Sequence, residues 1–333
     1  MSNVFALRAS SFIRHSDFVI RHCYYRRMTT RPLGKTGLSV SALGFGGAPA
    51  AYTKPEADSV AKLLNELIDA GVNVIDTATS YPGSEPFIGD HLSQRRKDYI
   101  LVSKTGGFAV DEAKGPKWSP ELIASSVERS LRAMKTDHLD VMLLHTCDLP
   151  TLQKGEAMGA LVKAREAGKV KFIGYSGDNE AAAAACAMND VSVIETSINY
   201  CDQANIDAVL PAARANNVGI IAKRPIANAA WLGPTGRPGF YDKYASEYVK
   251  RAAAMGITAE EFGFTASQWP ELALRFTLSF PEMSTAIVGT TNPKNAKANL
   301  EAIKKGPLPG DVVERIRAKF RAAPDSSTWT GQT

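Results

Sequence analysis

Short apolar runs alternate with amphipathic stretches along most of this 333-residue chain, and this alternation limits the fold more than any other feature. The runs are SALGFGG (41–47), VNVID (72–76), YILVSK (99–104), LDVMLLH (139–145), KFIGYS (171–176), VIETSIN (193–199), VGIIAK (218–223) and TAIVG (285–289). The stretches between them carry apolar residues three and four positions apart, which indicates amphipathic helices. Nearly continuous apolar runs suit parallel strands that are buried on both faces. Eight strands alternating with helices predict a (β/α)8 TIM barrel of the α/β class.

Further elements lie outside this repeat. RPLG and LSVS flank Lys35-Thr36-Gly37 and predict an N-terminal β-hairpin that closes the bottom of the barrel. Residues 224–284 are too long for one crossover helix, and predict an added loop and more than one helix. After the last strand, NPKNAKANLEAIKK and PGDVVERIRAKFRAA predict extra C-terminal helices. We therefore expect residues 29–333 to form a single barrel domain.

Residues 1–28 differ from the rest of the chain in charge. They contain five arginines and one acidic residue, Asp17. An arginine-rich segment with serines and few acids is typical of an organelle transit peptide. A wrongly chosen start codon explains the segment as well, because Met28 opens MTTRPLGKTG, which reads as a clean N-terminus. In either case we expect residues 1–28, as a leader or a spurious extension, to pack poorly.

The remaining composition excludes several classes of protein. Five of the 39 basic residues and one of the 34 acidic residues lie in residues 1–28, which leaves 34 basic and 33 acidic residues for the barrel. This balance provides no basic face for nucleic acid. No apolar run approaches the roughly 18 residues that span a bilayer, so we expect no membrane contact. The four cysteines lack C-x-x-C spacing and histidines at ligand spacing, which indicates reduced thiols, no metal site and a cytoplasmic protein.

Ionisable residues stand at the ends of three consecutive predicted strands. Asp76 ends the second strand, Tyr81 lies in the loop after it, Lys104 ends the third strand and His145 ends the fourth. TIM barrels carry their chemistry at this end of the strands. Singly, these residues have ordinary explanations: a turn cap, a packing residue, a solvated side chain and a core histidine. Together they form a coherent acid-base set.

The ordinary pKa values of these groups indicate a division of roles. A phenol with a pKa of about 10 is a weak acid at neutral pH, but a neighbouring ammonium stabilises the phenolate and lowers that pKa. Lys104 would provide this ammonium to Tyr81, and Asp76 would provide the counterion that keeps Lys104 charged. A neutral His145 would hydrogen-bond the substrate oxygen beside the Tyr81 hydroxyl. The set suits proton donation to a carbonyl oxygen during its reduction.

Four segments resemble the signature segments of the aldo-keto reductase superfamily: GVNVIDTATSYPGSE, ILVSKTGG, LDVMLLH and AREAGKVKFIGYS. The resemblance covers residues 31–323. It implies that Asp76, Tyr81, Lys104 and His145 are the catalytic tetrad, with Tyr81 as the general acid. It also implies an NAD(P)(H)-dependent oxidoreductase that interconverts an aldehyde, ketone or sugar with the alcohol. The family binds its cofactor, usually NADPH, without a Rossmann domain, so the lack of a G-x-G-x-x-G fingerprint is no objection.

The cofactor positions begin where the last strand runs into GTTNPKNAKAN. Asn292 can cap a helix that starts at Pro293, and the N-terminus of such a helix can bind an anion. A plain helix start explains Asn-Pro equally well. The resemblance implies that Ser176 holds the nicotinamide carboxamide and that Asn299 contacts adenine. It implies further cofactor contacts by Gly47, Glu195, Lys223, Arg224, Gly289, Thr290 and Asn295.

Some of these positions depart from the family pattern. Asn295 replaces an arginine that often binds the 2′-phosphate of NADPH, and Lys294 or Lys297 would supply a charge in its place. Glu195 stands where glutamine is common, and Lys223 stands where many members carry an aromatic residue. We expect NADP(H) as the favoured cofactor and NAD(H) as the alternative.

Aromatic residues in the rim loops would line a substrate pocket. The candidates are Tyr52, Trp118 and Trp231, and Trp231 can equally be a packing residue. The expected substrate is a small carbonyl compound or sugar, and the expected assembly is a monomer or a small homo-oligomer. Two alternatives are a nicotinamide-binding regulatory subunit with little turnover, and a lyase or isomerase that uses Lys104 as a Schiff-base amine.

Overall fold

The computed structural model describes residues 28–52, 56–107, 114–234 and 239–332. Within them, a two-stranded hairpin precedes eight parallel strands that close into a barrel. The strands are β1 (Thr30–Pro32), β2 (Ser39–Ser41), β3 (Leu43–Gly46), β4 (Val74–Asp76), β5 (Ile100–Thr105), β6 (Leu139–His145), β7 (Val170–Ser176), β8 (Val191–Ser197), β9 (Gly219–Lys223) and β10 (Met283–Val288). Barrel strands that are consecutive in sequence pair with one another, and β10 pairs with β3. The predicted (β/α)8 TIM barrel is confirmed.

The barrel strands begin and end within two residues of the predicted apolar runs. The run 139–145 coincides with β6. The run 193–199 extends beyond β8, which ends at Ser197, because Asn199 instead forms a tight turn in which its backbone N–H and C=O pair with those of Asp202. Residues 1–27 lie outside the described residues, so the boundary at residue 28 stays a prediction.

The predicted hairpin is confirmed, and it closes the N-terminal end of the barrel. β1 and β2 pair antiparallel, and the connection between them contains a 3-10 turn, Gly34–Thr36. Gly37 follows that turn with φ 74°, a left-handed conformation that glycine adopts without strain. Leu33 is fully buried inside the barrel. It packs in an inner apolar cluster with Val40, Val74, Val102, Val141, Leu143, Val193, Ile221 and Ile287.

Helices surround the barrel and bury their apolar faces against the strands. They are α1 (Ala48–Tyr52), α2 (Ala57–Asp69), α3 (Ser84–Leu92), α4 (Pro120–Ala133), α5 (Leu149–Lys154), α6 (Glu156–Glu166), α7 (Asn179–Cys186), α8 (Ala204–Ala208), α9 (Leu210–Ala215), α10 (Gly239–Met255), α11 (Trp269–Thr277), α12 (Pro293–Lys304) and α13 (Gly310–Ala322). In α2, residues at helical spacing such as Val60, Leu64 and Leu67 are buried. In the part of the chain that the structure describes, no helix combines the length and apolar composition needed to cross a membrane.

The added segments also agree with the sequence. Between β9 and β10 lie a 3-10 turn, Ala227–Leu232, and the helices α10 and α11. The helices α12 and α13 follow β10, as predicted for the C-terminal extension. Asn292 caps α12 by accepting a hydrogen bond from the Lys294 N–H at 2.9 Å, and Pro293 occupies the first helical position.

Candidate active site

Inward-facing side chains change from apolar to ionisable at the C-terminal end of the barrel. Side chains alternate along a strand, so residues two apart share a face. The inner apolar cluster is therefore followed, two residues later, by an ionisable residue on each of five strands. The pairs are Val74 and Asp76, Val102 and Lys104, Leu143 and His145, Val193 and Glu195, and Ile221 and Lys223. Charged groups that are costly to bury thus converge in the mouth of the barrel.

Lys104 and Asp76 form a buried ion pair in this mouth. The Lys104 side chain has no exposed surface, and Asp76 is 1% exposed. Lys104 Nζ donates to both carboxylate oxygens of Asp76 at 2.6 Å and to the carbonyl of Thr77 at 3.0 Å. Burial alone would lower the pKa of Lys104, but the negative charges of Asp76 and Glu195 raise it above its ordinary value. Lys104 is therefore a permanent cation at neutral pH.

Tyr81 reaches the same mouth through the turn after β4. The Thr79 N–H donates to the carbonyl of Lys104, and the Tyr81 N–H donates to the carbonyl of Ala78, so the chain folds back over the strand ends. The half-buried Tyr81 ring has its centroid 5.4 Å from Lys104 Nζ. Desolvation raises the pKa of the phenol strongly, Lys104 lowers it, and Asp76 raises it further. The expected lowering by Lys104 is present, but desolvation outweighs it, so Tyr81 stays protonated.

His145 completes the group that the sequence placed at the strand ends. Its ring lies edge-on to Tyr81 with 6.1 Å between centroids, and Nδ1 lies 3.4 Å from the hydroxyl of Ser80. Desolvation lowers the pKa of His145 well below its usual range, and the charges of Lys104 and Lys223 lower it further. His145 is therefore neutral at pH 7 and can hydrogen-bond an uncharged oxygen.

Glu195 also enters this cluster, a contact that the strand-by-strand sequence analysis did not find. Its Oε2 lies 3.2 Å from Lys104 Nζ, and the residue is 2% exposed. Burial and the charge of Glu195 raise the pKa of Asp76 well above its ordinary value, against the effect of Lys104. The alternation of Val193 and Glu195 in VIETSIN was the available signal, since it directs Glu195 inward.

The predicted nicotinamide-side residues lie on the adjacent strand ends. Ser176 is the last residue of β7, is buried, and lies opposite Glu195 in the sheet register. Lys223 ends β9 and forms an ion pair with Asp178 at 2.8 Å. Arg224 donates to Ser197 Oγ at 2.9 Å and to the carbonyl of Gln332 in the C-terminal tail. These partners of Lys223 and Arg224 were not predicted, because Asp178, Ser197 and Gln332 are all distant from residues 223–224 in sequence.

The predicted adenosine-side residues gather at the start of α12. Gly289 packs so closely on α1 that a Cβ there would collide with Pro49 and with the carbonyl of Gly46. Gly47 lies instead beside the end of β4, where its Cβ would be 2.9 Å from the carbonyl of Asp76 and from Ser84 Oγ. Thr290 Oγ1 accepts from the Asn292 N–H at 3.2 Å. On α12, the residues Lys294, Asn295 and Lys297 are exposed and Asn299 is buried.

The predicted substrate aromatics have different surroundings. Trp118, with φ 65°, covers Gly106 and Gly107 beside the His145 carbonyl, at the rim of the mouth. Trp231 stacks on Trp269 with 6.1 Å between ring centroids, which supports the packing alternative. Tyr52 lies in α1, but its side chain falls outside the described residues. The substrate roles of these residues stay predictions.

Comparisons with known proteins identify the family of the chain. Residues 42–321 match the sequence model of the aldo/keto reductase family. The chain is 27% identical over 291 residues to L-galactose dehydrogenase of Arabidopsis thaliana, covering 83% of this chain and 88% of that protein. It is 26% identical over 306 residues to the uncharacterized oxidoreductase YqkF of Bacillus subtilis, covering 87% and 96%.

A solved structure has a similar fold. The holo form of aldo-keto reductase AKR11C1 from Bacillus halodurans superposes with a TM-score of 0.74 at 23% identity, covering 88% of this chain and 96% of that chain. At this identity, the superposition supports the shared barrel rather than any shared substrate.

Proposed function

Because the chain belongs to the aldo/keto reductase family, an oxidoreductase family whose members use nicotinamide cofactors, we propose that it interconverts an aldehyde, ketone or sugar carbonyl with the alcohol, with Tyr81 as the general acid. The observation that carries this assignment is the protonated phenol of Tyr81 beside the buried Lys104 cation and the neutral imidazole of His145.

The proposed proton chemistry follows from these three groups. A dihydronicotinamide, when bound, would supply a hydride to the carbonyl carbon. The carbonyl oxygen becomes negative and takes the proton of Tyr81, which yields the alcohol and a phenolate. Lys104 stabilises that phenolate, and Asp76 holds Lys104 in place through two hydrogen bonds. His145 orients the oxygen by hydrogen bonding, since a neutral imidazole can donate without adding a charge.

The residues at the mouth fit a nicotinamide dinucleotide. The start of α12 presents backbone N–H groups and the positive end of its helix dipole, which favour phosphate. Gly289, shortly before this helix, packs against Pro49 and Gly46, so no side chain of its own stands at the helix start. We assign the adenosine half to Gly289, Thr290, Asn295 and Asn299, and the nicotinamide half to Ser176, Lys223 and Arg224. NADP(H) is favoured over NAD(H), with Lys294 and Lys297 as the exposed cations near its 2′-phosphate.

The buried ion pair argues against Schiff-base chemistry by Lys104. A Schiff base forms from a neutral amine. Asp76 and Glu195 instead raise the pKa of Lys104, so the amine remains protonated.

The plant relative named L-galactose dehydrogenase makes a sugar a reasonable substrate class alongside simple aldehydes.

The test is cofactor turnover by the full chain. The absorbance of NADPH and of NADH would be followed with 4-nitrobenzaldehyde, and that of NADP⁺ and NAD⁺ with L-galactose. We expect enzyme-dependent change in at least one pairing, faster with the phosphorylated cofactor. Cofactor binding without turnover of any carbonyl or sugar would contradict the assignment and favour a binding role.

A further inference from the structure

Lys104 carries one positive charge but lies between two buried carboxylates. Its Nζ is 2.6 Å from both oxygens of Asp76 and 3.2 Å from Oε2 of Glu195. None of these three side chains is more than 3% exposed. Among the described residues, Glu195 Oε2 has no hydrogen-bond partner, its ion-pair partner is the shared Lys104 ammonium, and Lys223 acts on it only from a longer distance.

Full ionisation would leave this buried cluster with an excess negative charge. Two carboxylates that share one site rarely both ionise, because their repulsion is poorly screened away from water. Lys223 offers little compensation, since it pairs with Asp178 at 2.8 Å. Among the residues that the structure describes, the other titratable or charged groups that act on this cluster are Tyr81, His145 and Arg224. The cluster therefore reaches neutrality most simply by keeping one carboxyl protonated.

We propose that Glu195 is a positioning residue for proton donation: it makes the Asp76–Lys104 pair retain one additional proton, and this proton sets the pH range over which Tyr81 acts as an acid. The inference rests on the proposed role of Tyr81 in catalysis. It assigns Glu195 a role through Lys104, in addition to any contact with a cofactor.

The retained proton has a direct consequence for Tyr81. While the proton is present, Asp76, Glu195 and Lys104 sum to zero charge, and the phenolate that forms after proton donation faces no excess anion. When the proton leaves at higher pH, two carboxylates oppose that phenolate across the mouth. Removing the charge of Glu195 therefore makes Tyr81 a stronger acid, which loses its proton at a lower pH.

The first experiment detects the retained proton without substrate or cofactor. Infrared difference spectra at neutral pH would compare the full wild-type chain with Glu195→Gln. We expect the variant to lose the carbonyl stretch of one protonated carboxylic acid. Glu85→Gln is the matched control, because Glu85 is also buried but is held by Ser103, Ser130 and Arg129. It should retain the band.

The second experiment measures the pH dependence of kcat for carbonyl reduction. In Glu195→Gln, the fall of kcat at alkaline pH should move down by at least about one pH unit, a tenfold change in proton affinity. Glu195→Asp should restore most of the wild-type profile, and Glu85→Gln should not move it. If Glu195→Gln fails to fold in a thermal melt, Glu195→Met provides a second charge-free variant.

The outcomes separate this inference from the proposed function. A wild-type spectrum without the band, or a Glu195→Gln spectrum that keeps it, overturns the retained proton whether or not the enzyme turns over. A lost band with superimposable pH profiles overturns the link to Tyr81. If Glu195→Gln loses the band but the wild-type chain shows no turnover, the result would support the retained proton and overturn the proposed function instead.

Discussion

Two buried aspartates at opposite ends of the barrel, Asp76 on β4 and Asp140 on β6, differ in how fully nearby positive groups balance their negative charge. Asp140 lies near the start of β6, at the end of the barrel closed by the hairpin, and accepts from the Leu101 N–H at 2.9 Å, Arg96 at 2.7 Å and Lys171 at 3.0 Å. Burial opposes ionisation, yet these donors lower the pKa of Asp140. Asp76 at the other end shares one ammonium with Glu195, and its pKa is raised.

This difference separates a structural carboxylate from a reactive one. Asp140 has more positive partners than its charge requires, so it remains ionised and holds strands and loops together. Asp76 belongs to a cluster with more negative than positive groups, so its protonation responds to its neighbours. Perturbed groups of the second kind are characteristic of functional sites. The same comparison can be tested by substitutions at each end of the barrel.

The largest expected effect is on activity at the open mouth. Tyr81→Phe removes the proposed proton donor and should lower kcat by roughly 10²- to 10⁴-fold, the range typical of general acid catalysis. Cofactor affinity, measured by fluorescence titration, should stay within about twofold. The matched control is Tyr99→Phe, whose hydroxyl donates to the Leu92 carbonyl away from the mouth. An equal loss of kcat in Tyr81→Phe and Tyr99→Phe would show that the Tyr81 hydroxyl at the mouth has no special role in catalysis.

The closed end should respond in stability rather than in activity. Leu33→Ala opens a cavity in the inner apolar cluster and should lower the free energy of unfolding by about 2–5 kcal/mol. The kcat of the folded variant should remain near wild type. Urea denaturation would measure this, with Leu232→Ala as control because Leu232 is 60% exposed. A similar loss in the control would show that Leu33 does not have a special role at the closed end.

Asp140→Asn should have a smaller and pH-dependent effect. The substitution leaves Arg96 and Lys171 without a carboxylate and should lower the free energy of unfolding by about 2 kcal/mol at pH 7. The loss is smaller than for a fully buried ion pair, because Lys171 is half exposed and solvent screens its charge. A lowered folded pKa stabilises the protein above the unfolded pKa of about 3.9, and this stability is lost as pH falls through the folded pKa.

The difference between wild type and Asp140→Asn should therefore shrink in acid, below about pH 4. Denaturation curves at a series of pH values would follow it. Asp137→Asn is the control, since Asp137 is 92% exposed and solvent screens its ion pair with His138, so its effect should be much smaller than that of Asp140→Asn. A stability difference that persists unchanged in strong acid would contradict an ionised role for Asp140.

The smallest expected effect concerns the choice of cofactor. Asn295→Arg adds a cation to the exposed face of α12 and should raise the affinity for NADPH relative to NADH by roughly fivefold, about 1 kcal/mol. Competitive fluorescence titrations would measure both affinities. Asn216→Arg adds the same charge on the exposed end of α9 and should leave the ratio unchanged. An unchanged affinity ratio in Asn295→Arg would show that the 2′-phosphate does not bind near position 295.

Most of the fold was predictable because it depends on short-range patterns. Apolar runs located the barrel strands to within two residues, and the Asn-Pro pair located the start of α12. The largest mismatch at the end of a strand is in β8, which the turn between Asn199 and Asp202 ends two residues early. Local apolar character cannot show that turn, since the residues on both sides of it are also buried.

The candidate site was predictable only in part, for a similar reason. Asp76, Lys104 and His145 follow directly from strand ends, because parallel strands in a barrel end at the same rim. The Asp178–Lys223 pair and the tail contact of Arg224 join segments that are distant in sequence. Trp231, considered for the substrate pocket, stacks on Trp269, which lies in a helix 38 positions further along.

The amino-acid sequence by itself determined the barrel, the ring of ionisable residues at its mouth and the family resemblance. The barrel follows from apolar runs that alternate with amphipathic stretches, the ring from the residues that end those runs, and the resemblance from the signature segments around them. Only the tertiary structure decided which charges meet inside that ring. Lys104 on β5 and Glu195 on β8 are three strands apart in the sheet, yet they lie 3.2 Å apart across the barrel interior. Closure of the sheet brings them together, and burial then makes their charges interdependent, because charges away from bulk solvent are poorly screened.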